Sequence, residues 1–209
     1  MLIGGGGSCF VVSPTVSCRM PDTTRVTVYR RSVVALTSVT VGLKLGPVSL
    51  GGTWEPDERE MEAAWQMYIE LATRISTQAL KDDEGILREA LSSLHDLFPI
   101  TREILRHQGP TVARKKGSGD HSFAELAIYV LNYAVRPVLA KWHPLLEEYE
   151  AVRPEEKSVR THEAEWERAA ELRGVLEGLR LLLLDYANLL AAVAGVEPLI
   201  SLDERQRTG

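Results

Sequence analysis

At Trp54 the hydrophobic pattern of the chain changes period, and that change constrains the fold more than any other feature. Upstream, Val39, Val41, Leu43 and Leu45 alternate with Thr40, Gly42 and Lys44, and Gly46-Pro47 then turns the chain into Val48-Ser49-Leu50. Period two interrupted by a turn signal predicts a β-hairpin, with Val26 and Val28 available for a further strand. An isolated hairpin is marginal in water, so this one is expected to pack on the helices or pair with another chain. Downstream, apolar residues recur every three to four positions, the spacing that lines one face of a helix.

Pro56 with Asp57 and Glu58 opens the first expected helix, since proline tolerates the first turn and acids suit the positive end of the dipole. Its core face reads Met61, Ala64, Trp65, Tyr68, Ala72, Ile75 and Ala79, to about Leu80. After Lys81-Asp82-Asp83, a second helix carries Leu87, Ala90, Leu91, Leu94, Leu97, Phe98, Ile104 and Leu105 to Gly109-Pro110, kinked by Pro99. The loop Thr111 to His121 leads to Ser122-Phe-Ala-Glu125, a capping box that starts a third helix reaching about Ala151. A charged linker, Arg153 to Lys157, precedes the fourth and longest helix, with Trp166, Ala169, Leu172, Leu176, Leu179, Leu183, Tyr186, Leu190 and Val193 inward and Gly195 as its C-cap. The expected fold is mainly α, an up-down-up-down four-helix bundle over residues 54–200 with a small N-terminal β-hairpin segment at 25–53. Residues 1–24 read as a flexible low-complexity tail in which Met20 is a second candidate start, and 201–209 as a disordered tail.

Charge divides at the same place. Residues 1–53 hold five basic groups and one acid, whereas 54–200 hold 17 basic and 26 acidic residues within a chain of net charge −5. An acidic helical body argues against a generic nucleic-acid coating protein. Cys9 and Cys18 both lie in the first twenty residues, so the helices fold without a disulfide, which suits a reducing cytosol. Ser32 to Leu50 is interrupted by Gly42, Lys44 and Pro47, and Leu181 to Val196 carries Asp185 and Asn188, so both read as protein core rather than membrane spans. The expected location is the cytoplasm, with no membrane partner.

The third helix is where chemistry is expected to reside. Glu125, Tyr129, Asn132, Arg136, His143 and Glu147 fall within an arc of about 60°, and apolar residues fill most of the remainder apart from Lys141. Such a stripe is either a solvent-facing strip or a partly buried network whose members satisfy one another. Pro137 and Pro144 remove backbone donors beside Arg136 and His143 and should bend the helix there. His143 with Glu147, and His121 with Glu125, are spaced to reach one metal ion, though a bundle site needs further ligands from other helices. Lys115 and Lys116, in the loop ahead of Ser122, are candidates to bind an anion with the helix N-terminus, without the residue order of a phosphate loop. Of Trp54, Trp65, Trp142 and Trp166, any left exposed would anchor a protein partner.

Two resemblances bear on function. Arg136 and His143 are spaced R-x6-H, and Arg102 and His107 R-x4-H, which resembles the signature of HEPN-type helical nucleases. That family implies a small helical bundle, a dimeric site and metal-independent RNA cleavage, with Arg136 on the phosphate, His143 in acid–base transfer and Asn132 beside them. Pro137 stands where that family tends to place a small polar residue. The string Asn132-x3-Arg136-Pro137-x-Leu139-x-Lys141-Trp142-His143-Pro144, with Gly52-Thr-Trp-Glu-Pro56 upstream and Leu87 to Leu94 between, resembles a family of uncharacterised bacterial helical proteins over about Gly51 to Pro198. It implies a bacterial cytosolic protein, an accessory component of a signalling or defence system. The expectation is a non-enzymatic interaction or regulatory module without a cofactor, binding a protein partner or itself, through residues drawn from Glu125, Tyr129, Glu147, Lys115 and Lys116. An HEPN-like endoribonuclease is the alternative, although the acidic body disfavours RNA, and a helix-bundle metal-binding protein is the second.

Overall fold

The structure, a computed structural model, describes residues 38–45, 48–78, 84–117 and 120–200, all within one compact unit. The expected strand at Val26 and Val28, the Gly46-Pro47 turn, both cysteines and both tails lie outside the described residues.

Strands β1 (Val39–Leu45) and β2 (Val48–Trp54) pair antiparallel, with Val39 opposite Trp54, Val41 opposite Gly52 and Leu43 opposite Leu50. Opposed residues share a face, so Val41, Leu43 and Trp54 point inward and are buried, while Thr40 and Gly42 face out. β1 lies against the long C-terminal helix, which supplies the support a two-stranded sheet needs.

The rest of the described chain is mainly helical. Helix α1 spans Glu58–Ala72 and opens with a full capping box: Asp57 accepts from Glu60 N at 2.9 Å, and Glu60 accepts from Asp57 N at 3.1 Å. It stops well before Leu80, because hydroxyls compete for its last carbonyls. Thr73 Oγ1 donates to Ile69 O at 2.8 Å, and Thr77 Oγ1 donates to Leu71 O at 2.7 Å from a single 3-10 turn at Ile75–Thr77. Trp65 and Ile75, expected in the core, are exposed instead.

The second expected helix is two, α2 (Leu87–His95) and α3 (Leu97–Gln108), parted at Asp96 rather than kinked at Pro99. The break falls just after His95, the last residue of α2 and the one whose carbonyl the Pro99 ring would strike, and Pro99 itself sits harmlessly in the first turn of α3. The third begins at Ser122, which accepts from Glu125 N at 3.3 Å, but Glu125 does not return the bond. It runs unbroken as α4 (Phe123–Tyr129), a π-helical segment (Val130–Val135) and α5 (Arg136–Ala151). The wide segment closes with Arg136 N donating to Leu131 O, just ahead of Pro137, which sits in the first turn of α5 where its missing donor costs least. A short helix, α6 (Val159–Ala164), then precedes α7 (Ala169–Val193). Trp166 lies ahead of α7 rather than within it, yet is buried, edge-on to Trp142 at 6.0 Å and stacked on Tyr149 at 5.6 Å.

Helix α7 is the axis of the core: it packs on α1, β1 and α2 and buries Leu172, Leu176, Leu183, Ala187, Leu190 and Val193. It closes as expected at Gly195, whose φ of +70° only glycine adopts without strain. Gly195 N donates to Ala192 O and Val196 N to Ala191 O. The rod Phe123–Ala151 is, by length and composition alone, apolar enough to cross a membrane, and half of its apolar window is buried inside the protein.

Candidate functional site

Two buried carboxylates organise the helix ends. Glu60 in the first turn of α1 is 1% exposed and accepts from Trp54 Nε1 at 3.1 Å, Phe123 N at 3.0 Å and Asp57 N at 3.1 Å. One carboxylate thereby ties the end of β2 to the starts of α1 and α4. Burial pushes its pKa up, and the three donors offset that only in part. Glu163 of α6 does the same for α2, accepting from Leu87 N at 2.7 Å and Arg88 N at 3.1 Å, and burial again pushes its carboxyl up.

The N-terminal half of the polar stripe closes on this region. Glu125 takes Lys115 Nζ at 2.6 Å and His121 Nδ1 at 3.2 Å. Burial opposes its ionisation, but those partners outweigh it and hold the carboxyl below the usual range. Lys116 donates to Glu55 O and stands 4.0 Å from Glu60. The anion expected at this helix start is therefore a side chain of the protein itself, and both lysines of the loop are engaged by it or its neighbours.

The C-terminal half forms a seam against α2 and α3. Arg136 donates Nε to Asn132 Oδ1 at 3.0 Å, and its guanidinium lies 5.1 Å from the Phe98 ring centre. Phe98 contacts His95 at 6.4 Å, and His95 stacks on His143 at 6.1 Å. Further along, Arg88 holds Glu150 through Nε at 3.0 Å and Nη2, with exposed Glu147 adding a nearby negative charge. The order 88, 95, 98 against 150, 143, 136 makes α2–α3 and α5 antiparallel. Asn132, Arg136, His143 and Glu147 thus share this seam, but Phe98 and His95 stand between Arg136 and His143.

His143 Nε2 is enclosed and has no hydrogen-bond partner among the described residues. Burial, then the positive charges of Arg88 and His95, pushes its pKa below the ordinary histidine value, so the ring is neutral at pH 7. Acid–base work by this nitrogen would require the seam to open. His107, the other spaced histidine, lines a groove between α1 and α3 with Gln66, Glu70 and Glu103. Among the described residues no group of three or more His, Cys, Asp or Glu is placed to hold a metal ion.

The site residues missed from sequence are Glu60 and Glu163. Asp57-x-x-Glu60 is a legible capping box, whereas nothing around Glu163 marks it as the cap of a helix 76 residues away. Comparison with protein-family models, with curated proteins and with solved structures gives no match.

Proposed function

We propose that the chain is a non-enzymatic protein-interaction module, an up-down-up-down four-helix bundle whose arms are α1, the α2–α3 pair, the α4–α5 rod and α7. Trp65 carries the reading. Trp54, Trp142 and Trp166 are buried, whereas Trp65 is 38% exposed and Ile69, one turn on, equally so. Glu58, Glu62, Trp65 and Ile69 follow at i, i+4, i+7 and i+11, one outward stripe of α1. A tryptophan kept at the surface beside an aliphatic residue is the type of anchor that concentrates binding energy at an interface. The two glutamates in line with it select a basic partner. The occupant is an amphipathic helix of another protein, its apolar side chains on Trp65 and Ile69 and its lysines on Glu58 and Glu62.

Supporting the non-enzymatic part, the groups best suited to chemistry serve the fold: Glu60, Glu125 and Glu163 hold helix ends, and His143 Nε2 is enclosed. The test titrates the protein with two labelled helical peptides, one of leucine and lysine and one of leucine and glutamate, read by fluorescence anisotropy. Binding of the basic peptide alone, weakened about 30-fold or more by the double variant Trp65→Ala/Ile69→Ala, is the expected result, since an anchor of this type is worth about 2 kcal/mol or more. Equal binding of both peptides, indifference to the double variant, or RNA cleavage by the purified protein in EDTA would overturn it.

A further inference from the structure

The two edges of the hairpin differ. On β2, Thr53 O accepts from His121 N at 2.8 Å, Gly51 O lies 3.4 Å from His121 Nε2, and Thr53 bridges to Asp120 in the parallel sense. The loop ahead of α4 therefore covers that edge. The same contacts fix which way the ladder points. In an antiparallel pair, opposed residues alternate between exchanging their backbone bonds and directing them away from each other. Gly51 and Thr53 are of the second kind, so Gly42 and Thr40, which stand opposite them, turn their own N–H and C=O out at the far edge, and Lys44 follows by alternation. Among the described residues no backbone group bonds to these three from that side. Gly42 is exposed, and a glycine has nothing but backbone to expose. A Cβ built on it meets nothing within 4 Å.

We infer that this open edge pairs with a second copy of the chain, β1 against β1, to make one continuous antiparallel sheet across a two-fold axis. The strand is complementary to itself in one register. With the axis at Gly42, the outward backbone groups of the two strands meet, Thr40 stands opposite Lys44 of the second copy, and all seven residues of β1 overlap. The central pair is glycine on glycine, so no side chain obstructs the approach. A slide that set Lys44 against Lys44 would oppose like charges and shorten the overlap. Val41 and Leu43 become neighbours across the axis, on the face already turned to the core. The competing occupant is a strand from upstream in the same chain. Tyr29 to Ser38 holds no Gly, Pro, Asn or Asp to turn such a strand back beside Val39. The pairing shares no residue with the Trp65 stripe, and its failure leaves the peptide titration unaffected.

Sedimentation equilibrium of the full chain, over a series of concentrations, should give a mass that rises toward twice the 23.2 kDa of one chain. Gly42→Pro is the discriminating variant. Proline removes the outward N–H and fills the space the neighbouring strand needs, while Val41 and Leu43 keep their bonds to β2, which is the edge position where a sheet tolerates it. It should weaken self-association about tenfold or more, because each copy loses its central donor. Gly42→Ala keeps the donor, has room for its methyl group and should leave the dimer intact. Circular dichroism checks that each variant folds. Residue-resolved amide exchange reads the same edge without a substitution: the Thr40 and Gly42 amides should become protected as concentration rises. A monomer at every concentration, a dimer that survives Gly42→Pro, or one abolished by Trp65→Ala/Ile69→Ala would overturn the assignment. Protection of those two amides in the monomer would also overturn it, by showing the edge covered from within the chain.

Discussion

Replacing Glu60 removes one carboxylate and leaves three backbone and side-chain donors behind. Trp54 Nε1 and Phe123 N both point at Oε1, Asp57 N points at Oε2, and the site is 1% exposed. An orphaned buried donor costs about 1–3 kcal/mol. Discounting for the partly buried Asp57 N and for relief of a buried charge, Glu60→Ala should lose about 3–5 kcal/mol. In urea unfolding, at about 1–3 kcal/mol per molar denaturant, that moves the midpoint by about 1 M or more. Glu60→Gln supplies a sharper comparison, because an amide oxygen at the Oε1 position keeps both Trp54 and Phe123 and forfeits only Asp57 N. Its expected loss is about 1 kcal/mol. If the alanine variant were as stable as the glutamine variant, Glu60 would not be the joint between the hairpin and the two helices.

Two further outcomes follow from buried polar groups. Because His143 is held below its ordinary pKa of 6.5, the unfolded chain binds a proton that the folded chain refuses. Stability should therefore fall as pH drops through 6.5 toward the folded value, and His143→Phe should flatten that slope in thermal melts from pH 7 to pH 5; identical slopes would contradict the seam geometry. Tyr186 is 2% exposed, its Oη has no partner among the described residues, and burial pushes its hydroxyl pKa up. Tyr186→Phe should accordingly be neutral or stabilising by up to about 1 kcal/mol, and a loss larger than that would reveal an undetected partner.

The hairpin, the helix start at Ser122 and the stop at Gly195 were legible because each depends on neighbouring residues: alternation, a cap hydroxyl, a left-handed glycine. Helix boundaries set by competition were not. Thr73 and Thr77 end α1 by taking carbonyls that periodicity assigns to the helix, and Pro99 acts four residues upstream of itself. The polar stripe of the third helix reads from α-helical spacing as one arc, whereas the π-helical segment Val130–Val135 and contacts with Lys115, Phe98 and His95 divide it into a hairpin-side half and a seam half. Periodicity also placed Trp65 inside, since an apolar residue adjoining a core stripe reads the same whether protein or solvent lies beyond it.

Hydrogen–deuterium exchange tests the interaction surface most directly. Added at saturation, the leucine–lysine helix should slow amide exchange in Glu58–Ala72 and leave α5 and α7 unchanged, because α1 carries Trp65 and Ile69 outward. Protection confined to other helices, or the same protection of α1 in the Trp65→Ala/Ile69→Ala variant, would contradict the proposal that this stripe is where the protein meets its partner.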